Sequence, residues 1–187
     1  MKFHTVGDSH SLIPWSSVVV PGIEIVTHHL GSKTMYGFGR DRLFCCDFKR
    51  LGIAEGEDVC FCFGEIDCRV HVHLHPGATA RTVARYFEAI EMNIVRYWPR
   101  DVFLMAVVPP RRVPRAIHYG SDYDRLAYTH VVNDMLEEGC RDRGFRFIDV
   151  GPWCRDDEGF MRDEVADKRT HLADPKPLEM YLANLRR

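Results

Sequence analysis

The sequence lacks the features of several protein classes. None of its apolar runs reaches the roughly 18 residues that a membrane-spanning helix needs. Residues 1–8 contain no long apolar segment either, so we expect no signal peptide. Neither sign of charge dominates, because 25 Lys and Arg stand against 27 Asp and Glu. This balance removes the electrostatic basis for binding DNA or RNA, and we expect neither nucleic acid nor a membrane among the partners.

Cysteine pairs with the spacing of a zinc or redox motif are also missing. The seven cysteines are irregularly spaced, and no two are separated by two residues. An odd number of cysteines without a framework predicts free, mostly buried thiols and a cytoplasmic location, where thiols stay reduced. Cys68 falls in a predicted loop, so we expect it to be the most exposed thiol.

No repeat, low-complexity tract or linker divides the chain, which predicts a single domain over residues 1–187. The composition, 45% hydrophobic and 28% charged, is typical of a folded globular protein. Nothing in the sequence indicates an oligomeric state.

Apolar runs alternate with segments of helical period. The predicted strands cover 2–7, 23–29, 58–63, 102–108 and 145–150, and the predicted helices cover 39–49, 79–98, 122–143 and 176–185. The near-continuous apolar run 58–63 is typical of a strand buried on both faces. Strands that alternate with helices favour right-handed crossover units. The sequence therefore predicts an α/β fold, a three-layer α/β/α sandwich around a five-stranded parallel sheet of the flavodoxin-like type.

Ligands of such sheets bind outside the carboxyl ends of the strands. This rule selects five predicted loops, 7–11, 30–38, 64–76, 109–121 and 151–173. The loops contain most of the residues that could carry chemistry.

Ser9 follows the first predicted strand, in the tripeptide Gly7-Asp8-Ser9. A serine at that edge could act as a nucleophile if a base and an orienting acid lay nearby. Asp167 and His171, in the loop after the fifth strand, could supply both. Asp and Ser are also preferred in tight turns and helix caps, so the tripeptide alone leaves a structural role open.

These segments resemble the blocks of the SGNH/GDSL hydrolases, a family of serine esterases and acetylhydrolases. Gly7-Asp8-Ser9 matches the first block, and Gly31 fits the glycine of the second block, with Gly37 as the alternative. Gly64-Glu65-Ile66-Asp67 stands where the family has Gly-x-Asn-Asp. Asp167 and His171 match the last block. The resemblance extends from residue 3 to about residue 182.

The sequence departs from the family pattern at two positions. Ile66 replaces the family's asparagine, so one side-chain donor to the oxyanion is missing. Arg69 is the nearest residue that could replace this donor. Glu65, Asp67 and Arg69 could also bind a polar substrate. The second departure is one extra residue between Asp167 and His171, which a bulge in the loop would absorb.

The resemblance implies a serine hydrolase that cleaves a short acyl ester, such as an acetyl ester, on a small molecule or a glycan. Ser9 would be the nucleophile, His171 the base and Asp167 the group that orients it. The N–H groups of Ser9 and Gly31 would hold the oxyanion, and no metal or cofactor would be needed. Because of Ile66, a binding module that has lost catalysis is the alternative on the same fold.

Three histidines favour a different hypothesis. His71, His73 and His75 alternate along a segment that we expect to be extended, so their side chains would lie on one side. Alternating histidines of this kind could bind a metal ion or a substrate, although a polar edge segment has the same pattern. Arg111 and Arg112, after the fourth strand, could contact an anionic substrate or lie in a solvated loop.

Overall fold

The computed structural model describes residues 1–41, 46–112, 118–167 and 169–185. Five strands form one sheet in the order β2-β1-β3-β4-β5, and every neighbouring pair is parallel. The strands are β1 (Lys2–Gly7), β2 (Glu24–His29), β3 (Asp58–Cys62), β4 (Val102–Met105) and β5 (Arg146–Ile148). This topology confirms the predicted α/β fold with a five-stranded parallel sheet.

Helices cover both faces of the sheet. They are α1 (Met35–Asp41), α2 (Val72–Leu74), α3 (Thr79–Tyr97), α4 (Asp122–Arg143), α5 (Gly151–Cys154) and α6 (Lys176–Asn184), and a π-helix (Asp67–His71) leads into α2. Ser121 begins α4 with a capping box shared with Asp124, and Gly144 ends the helix in the left-handed conformation. No helix in the described ranges is long and apolar enough to cross a membrane.

The central strands are buried on both faces because their side chains alternate between two apolar cores. On β3, Val59 and Phe61 pack with α1, α3 and α4, whereas Cys60 and Cys62 pack on the opposite face with α6. All four side chains are at most 2% exposed. Burying a side chain as large as Phe61 contributes roughly 1.5–3 kcal/mol, so the two cores explain the near-continuous apolar run in the sequence.

The strand order places a crevice at the carboxyl edge of the sheet. From β1 the chain crosses to β2 on one side, and β3 then pairs with the other side of β1. The connections on the two sides of β1 therefore diverge at its carboxyl end. Open α/β sheets bind their ligands at the place where two neighbouring connections diverge in this way. The segment that begins with Asp8 leaves β1 at this point.

Two predicted elements differ from the structure. The helix predicted over 39–49 begins earlier, at Met35, because Thr34 caps it: the Thr34 hydroxyl accepts from the N–H of Gly37 at 2.8 Å. Residues 42–45 lie outside the described residues, and 46–49 form no helix. The segment predicted as loop 64–76 is helical over most of its length, and no Gly or Pro interrupts it between Gly64 and Pro76.

Gly7 ends β1 where the backbone of β3 leaves no room for a side chain. A Cβ atom at Gly7 would clash with the carbonyl group of Cys62. The next N–H, that of Asp8, donates to this same carbonyl at 3.3 Å. The glycine is thus required by the close approach of the two strands, and this approach sets where Asp8 and Ser9 leave the sheet.

We therefore predict that Gly7→Ala lowers the free energy of unfolding by roughly 1–3 kcal/mol, because the new methyl group forces β1 away from β3. Gly77→Ala is the matched control, since a Cβ atom there meets nothing within 4 Å; we expect it to change the stability by less than about 0.5 kcal/mol. Urea unfolding measures both. Equal stabilities for the two variants would contradict the assigned role of Gly7.

Candidate active site

Ser9, His171 and Asp167 form a hydrogen-bonded chain at the carboxyl edge of the sheet. The Oγ atom of Ser9 lies 2.8 Å from Nε2 of His171. The other ring nitrogen, Nδ1, lies 2.6 Å from Oδ2 of Asp167. Both distances allow hydrogen bonds, and the charged partner explains why the second is shorter. The geometry therefore places a hydroxyl, an imidazole and a carboxylate in the order that nucleophilic catalysis needs.

Hydrogen bonds of Asp167 with Arg169 and His171 hold together the loop that carries the Asp167–His171 pair. Oδ1 of Asp167 accepts from the N–H groups of Arg169 and His171 at 2.7 and 3.0 Å, and its own N–H donates to the His171 carbonyl at 2.9 Å. Burial by itself raises the pKa of Asp167, but the hydrogen bonds from His171 and Arg169 outweigh it and hold this pKa below its ordinary value. The extra residue of the Asp-x-x-x-His spacing is accommodated without loss of the carboxylate–imidazole contact.

The turn that carries Ser9 is held by its neighbours. The Ser11 hydroxyl lies 2.8 and 3.0 Å from the carbonyl oxygens of Asp8 and His28 and can donate its one proton to either, and the Thr5 hydroxyl donates to the Ser11 carbonyl at 2.6 Å. Asp8 is fully buried, and its Oδ1 accepts from the N–H of His10 at 2.8 Å. These bonds join the turn to β1 and β2, so Ser9 has a fixed position at the sheet edge.

Two backbone N–H groups near Ser9 are available for an oxyanion. Within the part of the chain that the structure describes, the N–H groups of Ser9 and Gly31 have no hydrogen-bond acceptor. Gly31 comes directly after Leu30, whose N–H donates to the Gly7 carbonyl at 2.7 Å. The alternative, Gly37, donates its N–H to Thr34 instead. Gly31, with φ of 71°, is thus the better match to the second block.

The structure gives Asp67 an internal role in place of the predicted contact with substrate. Its side chain is fully buried, and its carboxylate accepts from the N–H groups of Met35 and Tyr36 at 2.6 and 3.0 Å. It thus binds the two free N–H groups that begin α1. Burial raises the pKa of Asp67 to about 6, although the two N–H groups act in the opposite direction.

Glu65 and Arg69 form an ion pair one helical turn apart. The guanidinium Nε lies 3.0 Å from one carboxylate oxygen and 3.2 Å from the other. Both side chains are mostly buried, with 11% and 21% exposed. Arg69 could donate to an oxyanion through Nε only if this pair opened, so its role as an oxyanion donor stays a prediction. The same applies to substrate binding by Glu65.

Two further expectations for this segment are wrong. Cys68 is 3% exposed and packs in the core beside α1 and α3, because the π-helix turns it inward. The segment that carries His71 and His73 is helical rather than extended, so His73 points away from His71, whose ring centroid lies 5.2 Å from that of His75. His71 stacks on Tyr36, whereas His73 meets Tyr128. No group of three metal-ligating side chains is found among the residues described.

The sequence predicts Arg111 either as a contact for an anionic substrate or as part of a solvated loop, and the structure shows internal contacts for it. Its Nε pairs with Asp163 at 2.8 Å, and its guanidinium donates to the Asp167 carbonyl at 3.2 Å. The buried Arg125 donates in turn to the Arg111 carbonyl. Arg112 pairs with Asp156 and Glu158. The loop after β4 therefore braces the loop that carries Asp167, which no short motif in the sequence indicates.

No protein-family profile and no curated protein sequence matches this chain. Solved structures do match it. A GDSL-like lipase from Bacteroides thetaiotaomicron superimposes with a TM-score of 0.67 at 14% identity, over 98% of this chain and 86% of that one. The chain has the fold of the GDSL hydrolases. This agrees with the resemblance that the sequence motifs indicate.

Other GDSL-type neighbours cover nearly the whole length of both chains. A carbohydrate acetylesterase family member from Sinorhizobium meliloti has a TM-score of 0.67 at 14% identity, over 98% of each chain. An aryl esterase from M. smegmatis has a TM-score of 0.67 at 13% identity, over 99% of this chain and 98% of that one. At these identities the likeness extends to the GDSL fold and not to a substrate.

The raised pKa of Asp67 has a measurable consequence. Between about pH 4 and pH 6 the folded protein holds this proton more tightly than the unfolded chain, so its contribution to the free energy of unfolding falls as the pH rises. Asp67→Asn removes the titration. We predict that this substitution is more destabilising at pH 4 than at pH 7, by about 2–3 kcal/mol.

Urea unfolding of wild type and Asp67→Asn at pH 4, 5, 6 and 7 measures this difference. The stability lost at any one pH also includes the effect of placing an amide instead of a carboxyl group at the start of α1. That effect does not depend on pH. A loss that stays constant, or that grows toward pH 7, would show that the Asp67 carboxylate is not destabilised by burial.

Proposed function

We propose that the protein is a GDSL-type serine hydrolase that cleaves a short acyl ester, with Ser9 as nucleophile. The observation that carries the proposal is the hydrogen-bonded chain from Ser9 through His171 to Asp167. It joins residues 162 positions apart in sequence, and a solvated loop or a simple helix cap would not require it. The GDSL fold around it supports the same reaction class.

His171 takes the proton of Ser9 as the Oγ atom attacks the ester carbonyl, and it then gives this proton to the leaving alcohol. Asp167 holds the ring so that Nε2 faces Ser9, and it stabilises the imidazolium that forms. Water attacks the acyl-enzyme in the second half of the reaction, with His171 again as the base. Neither half needs a metal ion or a cofactor.

The N–H groups of Ser9 and Gly31 stabilise the oxyanion of each tetrahedral intermediate. Ile66 contributes no third donor. Loss of one such donor lowers the rate by about 10²–10³ in other hydrolases. We therefore expect a slower enzyme, unless Arg69 leaves Glu65 and donates instead.

Two small cavities lie among residues that neighbour the site. One is lined by His10, Cys62, Glu65 and neighbouring residues, and a second by Glu65, Arg69, Arg111 and Thr170. Each has a volume of about 10 Å³, which holds one water molecule. They are too small to select an acyl group, so the preference for an acetyl ester on a small molecule or a glycan is supported by the motif resemblance and by a carbohydrate acetylesterase among the proteins of similar fold. The six described cysteines are free, which suits the reducing cytoplasm as the location.

We predict that Ser9→Ala abolishes enzymatic hydrolysis of p-nitrophenyl acetate, since it removes the hydroxyl that forms the acyl-enzyme. A fluorophosphonate should label wild type on Ser9, as located by mass spectrometry, and should not label the variant. Ser16→Ala is the matched control, because Ser16 is exposed and lies outside the site.

Equal activity of wild type and Ser9→Ala would eliminate the proposed mechanism. An inactive, unlabelled wild type that still binds an acetylated sugar would favour the binding-module alternative. Activity that EDTA abolishes and zinc restores would instead favour a metal-dependent hydrolase.

Asp167→Asn should lower kcat by roughly 10³- to 10⁴-fold, because the amide no longer holds His171 in the tautomer that presents a free Nε2 to Ser9. The exposed Asp157→Asn serves as the control and should keep the wild-type kcat. Steady-state kinetics on the same ester measures both variants. If Asp167→Asn retains more than about a tenth of the activity, Asp167 does not orient the base.

A further inference from the structure

His10 forms a second carboxylate–imidazole pair beside the first. It follows Ser9 in the chain and is 6% exposed. Its Nδ1 lies 3.1 Å from Oδ1 of Asp8, and its ring packs against the ring of His171 with 4.7 Å between the centroids. Nε2 of His10 lies 3.5 Å from the carbonyl oxygen of Thr170, the residue before His171. His10 thus contacts both the base and the backbone that carries it.

Both ring nitrogens of His10 face oxygen atoms that only accept hydrogen bonds. A carboxylate and a backbone carbonyl each require a donor, and a neutral imidazole has one N–H group. The two contacts are satisfied together only when both nitrogens carry protons. The geometry therefore indicates an imidazolium cation.

Asp8 gives an independent reason for this charge. It is fully buried, and Oδ2 has no hydrogen-bond partner among the described residues. A buried carboxylate is strongly unfavourable without a nearby cation. His10 is the residue whose side chain approaches it as a charge partner.

The other charges around His10 favour the same state. Burial alone would lower the pKa of His10, but the hydrogen bond and charge of Asp8, the charge of Glu65 and the Thr170 carbonyl together raise it. Glu65 is itself paired with Arg69, and the ring of His171 is the remaining titratable neighbour.

We propose that His10 is a positioning residue for the base: as an imidazolium paired with buried Asp8, it holds the Thr170 carbonyl and the ring of His171 so that Nε2 stays within reach of Ser9. This inference rests on the proposed serine mechanism for its effect on rate, but the charge state of His10 does not depend on it. His10 does not touch the reacting atoms.

The charge state has a direct test that needs no activity. In ¹⁵N NMR of the histidine side chains at pH 7, both ring nitrogens of His10 should carry protons. The spectrum of His10→Gln assigns the signals of His10 by their disappearance. One unprotonated ring nitrogen in wild type would overturn the imidazolium assignment.

The positioning role has a kinetic test. His10→Gln removes the charge and His10→Phe removes both hydrogen bonds while keeping a ring against His171. We expect kcat for p-nitrophenyl acetate to fall roughly 10- to 100-fold, the scale of a misplaced catalytic group, with KM changed less than about threefold. Labelling of Ser9 by the fluorophosphonate should slow in parallel. His130→Gln is the matched control, because His130 is an exposed histidine on α4.

A double variant separates positioning from stability. Asp8→Asn combined with His10→Gln replaces the buried charge pair by two neutral amides, so it should recover most of the stability lost in His10→Gln. Under the positioning role its kcat stays low. Recovery of both stability and kcat would mean that His10 only neutralises Asp8. Wild-type kcat in both His10→Gln and His10→Phe would show that His10 does not position the base. Failure of the serine mechanism would appear separately, as wild-type activity in Ser9→Ala.

Discussion

The close approach of β1 to β3 at Gly7 determines where the site lies. Because no side chain separates the two strands there, the N–H of Asp8 reaches the Cys62 carbonyl, and the chain leaves the sheet in a tight turn. The hydroxyl of Ser11 ties that turn back to β2. Ser9 therefore stands at the divergence of the two crossover connections, within reach of a loop from the far end of the chain. A wider separation of the strands would move the nucleophile away from its base.

This arrangement buries two carboxylates under the site, and the protein compensates each differently. Asp67 accepts from two N–H groups that begin α1, so dipoles rather than a cation oppose its burial. Asp8 has His10 as its charged neighbour. The dipoles leave Asp67 with a pKa of about 6, which indicates that they offset only part of the desolvation. The proposed imidazolium at Asp8 is a full charge rather than a dipole, and it lies against His171.

The sequence analysis anticipated the sheet more closely than the segments around the site. Strands such as 58–63 were predictable because two buried faces leave an uninterrupted apolar run, and the parallel arrangement of the sheet followed from the alternation with helices. The helical course of 64–76 was missed, since a π-helix is rare and a five-residue π-helix followed by a three-residue α-helix is too short to give a periodic signal. Cys68 was consequently expected at the surface. No motif in the sequence marks His10, because one of its contacts, the Thr170 carbonyl, lies 160 residues away in the chain.

The segment Gly64-Glu65-Ile66-Asp67 differs in polarity and charge from the Gly-x-Asn-Asp pattern that it resembles. Ile66 cannot donate to an oxyanion, whereas Glu65 adds a negative charge whose field reaches His10. That charge supports the protonated state of His10, and the pair with Arg69 keeps the carboxylate from moving toward solvent. The segment that would supply a side-chain donor in the family pattern here supplies electrostatic support for a cation beside the base. In the proposed mechanism, stabilisation of the oxyanion then falls to backbone N–H groups, and catalysis relies on a firmly held His171 more than on a third hydrogen bond.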